Sequence, residues 1–118
     1  MGFSSAHATA FYSEVAASKV IWTIRDAAGF PAPKSTSSGR AMPFWSSESR
    51  ATLVVKNVSA YGGFKAVAIS LEEFCARWIP GLESDGLLAG LNWSGERATG
   101  YDVSPGDLLC NLEAACHR

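Results

Sequence analysis

A short apolar strand that runs directly into a capped helix is the feature that most constrains how this chain folds. Residues 65–69 read as a strand, and Ser70 and Glu73 then form a capping box, in which each side chain reaches the other's backbone N–H. The apolar residues after this cap recur at helical spacing: Leu71, Phe74, Cys75 and Trp78. The pattern predicts a strand joined to an amphipathic helix, which we expect to stop at Pro80-Gly81.

The first half of the chain predicts a helix, a hairpin and a second helix. Residues 4–18 carry apolar side chains at helical spacing, and residues 19–25 are β-branched and aromatic, as in a strand. An Asp-Ala-Ala-Gly turn follows, and Phe30 is expected to begin a second strand. Because Pro31 and Pro33 cannot donate to a ladder, that strand should be short or lie at an edge. After an extended segment ending at Trp45, a Ser-capped helix follows, with this inward stripe: Ala51, Val54, Val55 and Val58.

The second half adds another hairpin and a last helix. Residues 87–93 and 97–103 read as strands, and Ser104-Pro105 begins a helix that reaches toward the carboxyl terminus. These elements predict an α+β fold with a single layer of antiparallel or mixed sheet, about five to six short strands, and four helices packed mainly on one face. We expect one domain over residues 1–118, with 1–4 and 117–118 frayed and the Ser-rich segment 34–40 mobile.

Composition excludes several classes of protein. With 47% hydrophobic and 18% charged residues, the 118-residue chain has enough apolar side chains for one core. The 10 basic and 11 acidic residues are interspersed, so neither nucleic acid nor a charged membrane is an expected partner.

No window approaches the roughly 18 apolar residues of a membrane span, and no export leader is recognisable. Three cysteines, an odd number without a C-x-x-C pair, favour a reducing compartment, so we expect a cytoplasmic protein.

Three parts of the sequence resemble a known family. They are the strand around Trp22 with its acidic-glycine turn, Pro43-Phe44-Trp45 before the Ser-capped helix, and residues 69–86. Within the last segment the matching residues are Phe74, Trp78, Pro80, Leu82 and the Asp85-Gly86 pair. Over residues 11–112 the chain resembles a group of small bacterial proteins called domain of unknown function 2750, and its order of elements is similar, more distantly, to the amino-terminal domain of the SseB proteins. The resemblance implies an α+β fold and a bacterial cytoplasmic protein, and it brings no established activity.

Neither a metal site nor a nucleophilic centre is predicted. His7 and His117 lie near opposite ends of the chain, and Cys110 and Cys116 point about 120° apart on a helix. The sequence contains no serine elbow, no thiol beside a base and no phosphate-binding glycine loop. We therefore expect no cofactor and no metal. Whether the protein is an enzyme stays open, although the sequence favours a protein without catalytic activity.

The first hypothesis is a non-catalytic protein-binding or regulatory module. Tryptophan, tyrosine and arginine dominate binding hot spots, because they bury large areas with little loss of rotamer freedom. Packing in the core is the favoured interpretation for Trp45, at the end of a strand, and for Trp93, beside a hairpin tip, and partial exposure is the alternative on which this hypothesis depends. The candidate contacts are Arg25, Arg40, Trp45, Tyr61 and Trp93. The partner would be another protein, and a sheet edge could also support a homodimer.

The alternative hypothesis is a small enzyme or a small-molecule binder. Glu83 and Asp85 are expected on the loop that leaves the third helix, where they could share a cleft with a basic side chain. Glu73 is expected to be occupied by its cap and by an i, i+4 contact with Arg77. This hypothesis predicts a concave site that contains both loop carboxylates.

Overall fold

The computed structural model describes residues 3–33, 39–95 and 99–116, which contain four helices and five strands. The first helix, α1, covers Phe3–Ser18, and the third, α3, covers residues 71–85. The other elements are β1 (Val20–Arg25), β2 (Ala41–Phe44), α2 (Glu48–Asn57), β3 (Lys65–Ser70), β4 (Leu88–Ser94), β5 (Thr99–Val103) and α4 (Pro105–Cys116). The predicted α+β class is confirmed. None of the helices in these residues is long and apolar enough to cross a membrane.

The strands form two small sheets that a single pair of backbone bonds connects. β1 pairs antiparallel with β3, while β4 lies between a parallel β2 and an antiparallel β5. Trp22 of β1 and Trp45, which directly follows β2, exchange both backbone hydrogen bonds, at 2.8 and 2.7 Å. Across this bridge the strand order is β3-β1-β2-β4-β5, a mixed sheet as predicted.

The helices lie on both faces of this layer, three on one face and one on the other. Phe11 of α1, Phe74 of α3 and Leu108 of α4 share one core cluster, together with Phe44 of β2. Val54 of α2 belongs to a second cluster, which is built on these other residues: Ile24, Ala41, Trp45, Tyr61 and Trp93. Because successive strand residues point to opposite faces, neighbours such as Phe44 and Trp45 enter different clusters.

Helix α3 does not stop where the sequence predicts. It begins with the α-helical Leu71–Glu73, makes a π-helical turn over Phe74–Trp78, and continues as the α-helical Ile79–Asp85. In the π turn the Ile79 N–H donates to Phe74 O, so Pro80 falls at the start of a new α-helical stretch, where its missing N–H is not needed. The predicted stop at Pro80-Gly81 is therefore wrong. The helix ends at Gly86, whose φ of 68° is the left-handed conformation that glycine favours.

The predicted first hairpin is reduced to its turn. Asp26 and Gly29 exchange backbone bonds of 3.0 and 3.1 Å, but Phe30 and the residues up to Pro33 form no strand. Two prolines among four residues remove the donors that such a strand needs. Most of the predicted mobile loop, residues 34–38, lies outside the described residues, and Arg40 at its end accepts a 2.9 Å bond from Leu88 N.

A bulge in β4 reverses the alternation of its side chains. Asn92 is buried with a φ of 51°, and the register to β5 shifts between Leu91 and Ser94. Without a bulge, Trp93 would share the face of Leu91. It lies instead on the α2 side, where its ring covers Gly90, and a Cβ on Gly90 would stand 2.2 Å from that ring.

Four residues around this bulge form what we call the polar cluster: Glu14, Ser46, Arg50 and Asn92. Ser46 Oγ donates to Glu14 Oε1 at 2.6 Å, and Arg50 donates to both Glu14 oxygens, at 3.0 and 2.7 Å. Asn92 Oδ1 accepts from Ser46 N at 2.9 Å. The cluster therefore joins α1, α2 and β4, elements that are far apart in the sequence.

The ion pair of the polar cluster predicts acid-sensitive stability. The hydrogen bond from Arg50 lowers the pKa of Glu14, with a smaller contribution from Ser46. A lowered folded-state pKa gives stability that is complete above the unfolded-state value and is lost as the pH falls through the folded-state value. Because the pair is about 40% exposed, we expect Glu14→Gln to cost on the order of 1 kcal/mol at neutral pH.

Urea unfolding as a function of pH checks this expectation. The difference between the original protein and Glu14→Gln should shrink as the pH falls from the unfolded-state pKa of about 4 through the lower folded-state pKa of Glu14. Glu48→Gln is a suitable control, because Glu48 is an exposed acid on α2. A difference that stays constant down to strongly acid pH would contradict the assignment to the Glu14 charge.

Candidate functional site

A solvent-open groove runs along α3 beside its π turn. It encloses about 260 Å³. Its walls come from α3, from the turn after β1 and from β2, and the lining residues are Phe30, Met42, Arg77, Trp78, Gly81, Leu82 and Asp85. We call this feature the π-turn groove. Its volume is slightly below the range usual for small-molecule sites.

The helical side of the π-turn groove follows from the spacing of residues on α3. Arg77, Gly81 and Asp85 are separated by four residues each, so they lie close to one line along the helix. Gly81 at the centre has no side chain, and a Cβ placed there would meet no atom within 4 Å. The helix surface between the two charged side chains is therefore open.

Aromatic rings form the side of the groove. The Phe30 and Trp78 rings meet edge to face with their centroids 5.0 Å apart, and Phe44 contacts Trp78 in the same way at 5.9 Å. The Arg25 guanidinium lies 5.3 Å from the Phe30 centroid, in cation–π geometry. These contacts hold Trp78 and Phe30 in place, so the aromatic wall exists before any ligand arrives.

The two charged residues of the groove carry opposite signs. Arg77 and Asp85 are exposed, and within the described residues neither side chain makes a hydrogen bond or an ion pair. Eight residues of helix separate them by about 12 Å along the axis. The predicted contact between Glu73 and Arg77 does not form, because the π turn between them changes the angle at which the two side chains leave the helix.

The three aromatic residues predicted as binding contacts lie in the core. Trp45, Trp93 and Tyr61 are only 0%, 5% and 9% exposed. Trp45 Nε1 donates to Trp93 O at 2.8 Å, and Trp93 Nε1 donates to Asp102 Oδ1 at 2.9 Å. Of the two interpretations of Trp45 and Trp93, packing in the core is therefore confirmed and partial exposure is wrong, since both indoles are buried and hydrogen-bonded.

The charged candidates divide between the groove and other surfaces. Arg25 is exposed and lies next to the groove through its contact with Phe30, whereas Arg40 is exposed and does not line the groove. Asp85 lines the groove, but Glu83 lies two positions away, which turns it about 200° around the helix. The two acids stand on α3 and not on a loop, so the prediction that they share a cleft is wrong.

Thiols and histidines do not gather at this site. In the part of the chain that the structure describes, no group of three metal-binding side chains is close enough to hold an ion. Cys75, Cys110 and Cys116 are free, and burial raises the pKa of the Cys75 thiol. His117 lies outside the described residues.

Sequence reasoning identified Asp85 and missed most of the groove around it. Phe30 and Met42 reach the site only through the tertiary fold. For the π turn one local signal was present in the sequence. Pro80 directly follows an apolar helical stripe, which is compatible with a π turn as well as with a helix end.

Fold and groove together define a small α+β protein with a solvent-open groove on one helix. The chain belongs to the family described as Protein of unknown function (DUF2750), which matches residues 8–112 and so includes every lining residue of the groove. The predicted family resemblance is confirmed, while the more distant likeness to the SseB amino-terminal domain stays a prediction. No curated protein matches the chain.

Proposed function

We propose that this chain is a non-catalytic ligand-binding module of the bacterial cytoplasm, and that the π-turn groove is its binding site. The observation that carries the proposal is the π turn itself. Such turns are rare, cost hydrogen-bond geometry and occur frequently at functional sites. Here the turn contains Arg77 and Trp78, two of the groove's lining residues. The bacterial cytoplasmic location rests on what the family resemblance implies and on the odd number of cysteines.

The groove fits an elongated zwitterion with a flat apolar centre. A ring lying over Gly81 would contact Trp78 and Phe30, and burying it there removes apolar surface from water. Arg77 offers the forked donors that match a carboxylate, and Asp85 offers an acceptor for an ammonium group about 12 Å along the helix. A ligand with the two charges at its opposite ends satisfies all three contacts at once.

Titration with three probes tests this proposal. Para-aminomethylbenzoate carries both charges, whereas benzoate and benzylamine each carry one, and binding can be followed by tryptophan fluorescence or by the NMR signal of the Trp78 indole. We expect the zwitterion to bind tightest. Arg77→Gln should weaken benzoate about fivefold and leave benzylamine unchanged, and Asp85→Asn should do the opposite, because each exposed charge contributes about 1 kcal/mol.

Two further variants serve as controls. Glu83→Gln removes an acid from the same helix on the side away from the groove, so it should change none of the three affinities. Gly81→Gln fills the open helix surface and should abolish binding while the fold stays intact. The proposal is wrong if no probe binds, or if Glu83→Gln weakens benzylamine as much as Asp85→Asn does.

The predicted role in binding another protein loses the support of three of its five contacts. Trp45, Tyr61 and Trp93 offer no surface to a partner, and the two remaining arginines do not make an interface by themselves. Strand β3 supports a partner of a different kind, which is a second copy of this chain.

A further inference from the structure

Strand β3 is an outer strand of the sheet with an unpaired side. It pairs with β1 on one side, and among the described residues no strand pairs with it on the other. Open edges are templates for another strand, and natural proteins usually block them with prolines, bulges or inward-pointing charges. β3 has the sequence KAVAIS, with one charge at its beginning and none of the other blocking devices.

The register of β1 shows which backbone groups of β3 face outward. Trp22 directs both its N–H and its C=O to Trp45, so the odd-numbered residues of β1 direct theirs to β3. Ile21 faces Ile69, and Thr23 faces Val67. Residues 65, 67 and 69 are therefore the ones bonded to β1, and the N–H and C=O groups of residues 66 and 68 point away from the sheet.

We infer that two copies of this chain form a dimer by antiparallel pairing of their β3 strands. A two-fold axis through Val67 places Ala66 opposite the partner's Ala68, and Ala68 opposite the partner's Ala66. Both members of each pair direct their backbone groups outward, so the pairing forms four new hydrogen bonds. Two five-stranded layers become one layer of ten strands, and the two open edges disappear.

Charge favours the antiparallel direction. The first end of β3 carries Lys65, which lies across from Arg25 of β1, while the other end leads directly into Glu72 and Glu73 of α3. Antiparallel pairing brings the basic end of one copy to the acidic end of the other. A parallel arrangement would place like charges together, which costs free energy.

Side chains along the edge also fit a second copy. Ala66 and Ala68 are small, so a neighbouring strand can approach along its whole length. Val67 is half-buried, and on the two-fold axis it would pack against the partner's Val67 in the close, non-hydrogen-bonded position. The dimer is independent of the π-turn groove, whose residues lie on other elements.

Sedimentation analysis of the whole chain over a range of concentrations tests the dimer. We expect a reversible dimer of twice the 12.5 kDa chain mass. Ala68→Pro removes an outward N–H without touching the ladder to β1, so it should weaken dimerisation at least about 30-fold through two lost hydrogen bonds. Ala68→Ser, which keeps the N–H, should dimerise like the original protein.

Amide hydrogen exchange of the unaltered chain keeps the inference testable even if the proline variant misfolds. The amides of Ala66 and Ala68 should exchange slowly at high concentration and fast after dilution, while that of Val67 stays protected by β1. A chain that remains monomeric, or a dimer in which the amides of Ala66 and Ala68 exchange fast, overturns the inference.

Discussion

Replacing Gly90 with alanine is expected to lower the free energy of unfolding by about 3 kcal/mol, at the upper end for overpacking a core. The new Cβ would stand 2.2 Å from Cε2 of the Trp93 ring. The Trp93 ring cannot move easily, because its Nε1 donates to Asp102 Oδ1 and the Trp93 backbone carbonyl accepts from Trp45 Nε1. The Trp93 ring also lies close against Gly100, where a Cβ would stand 2.9 Å from its Cδ1.

Urea unfolding of a double-mutant cycle separates this clash from other effects. Trp93→Leu alone should destabilise the protein by removing buried aromatic surface, but Gly90→Ala should cost much less in the Trp93→Leu background. Gly81→Ala is the matched control, because its Cβ meets no atom and its helical position favours alanine by about 1 kcal/mol. Additive costs for Gly90→Ala and Trp93→Leu would show that the ring contact is not the cause.

The elements that the sequence predicts well are those with local causes. Helix α1 shows its stripe in the buried Phe11 and Val15, and α2 is capped by Ser47, whose hydroxyl accepts from Arg50 N at 3.3 Å. Apolar periodicity and caps operate within a few residues, so they can be read directly from the chain. The end of α3 could not be read in this way. Pro80 is tolerated only because the π turn precedes it, and that turn is packed by Phe44 against Phe74 from a distant strand.

The alternative of a partly exposed Trp93 is wrong for a related reason. Trp93 lies beside a hairpin tip in the sequence, which is ordinarily an exposed position, but the bulge at Asn92 turns it into the α2 side of the core. Of the candidate residues named from the sequence, Asp85 lines the groove, whereas the groove around it was not predicted. Phe30 and Met42 approach α3 only after β1 and β2 are in place, so no local pattern contains them.

The bulge also carries the second large expected effect. Asn92→Ala should lower the free energy of unfolding by about 3 kcal/mol, from two causes. The Ser46 N–H, which now donates to Asn92 Oδ1 at 2.9 Å, would be left buried without its partner, and such a group costs about 1–3 kcal/mol. In addition, alanine adopts a φ of 51° less readily than asparagine, which costs about 1 kcal/mol.

Thermal and urea unfolding of Asn92→Gly divides the two causes. Glycine adopts the left-handed conformation freely, so it should recover only the backbone part, about 1 kcal/mol, and the loss from the unpaired Ser46 N–H should remain. Asn92→Asp keeps an acceptor for that N–H but places a second carboxylate near Glu14, so its cost should fall as the pH is lowered. If glycine restores full stability, the Asn92 side chain contributes nothing, and the bulge is held by backbone conformation alone.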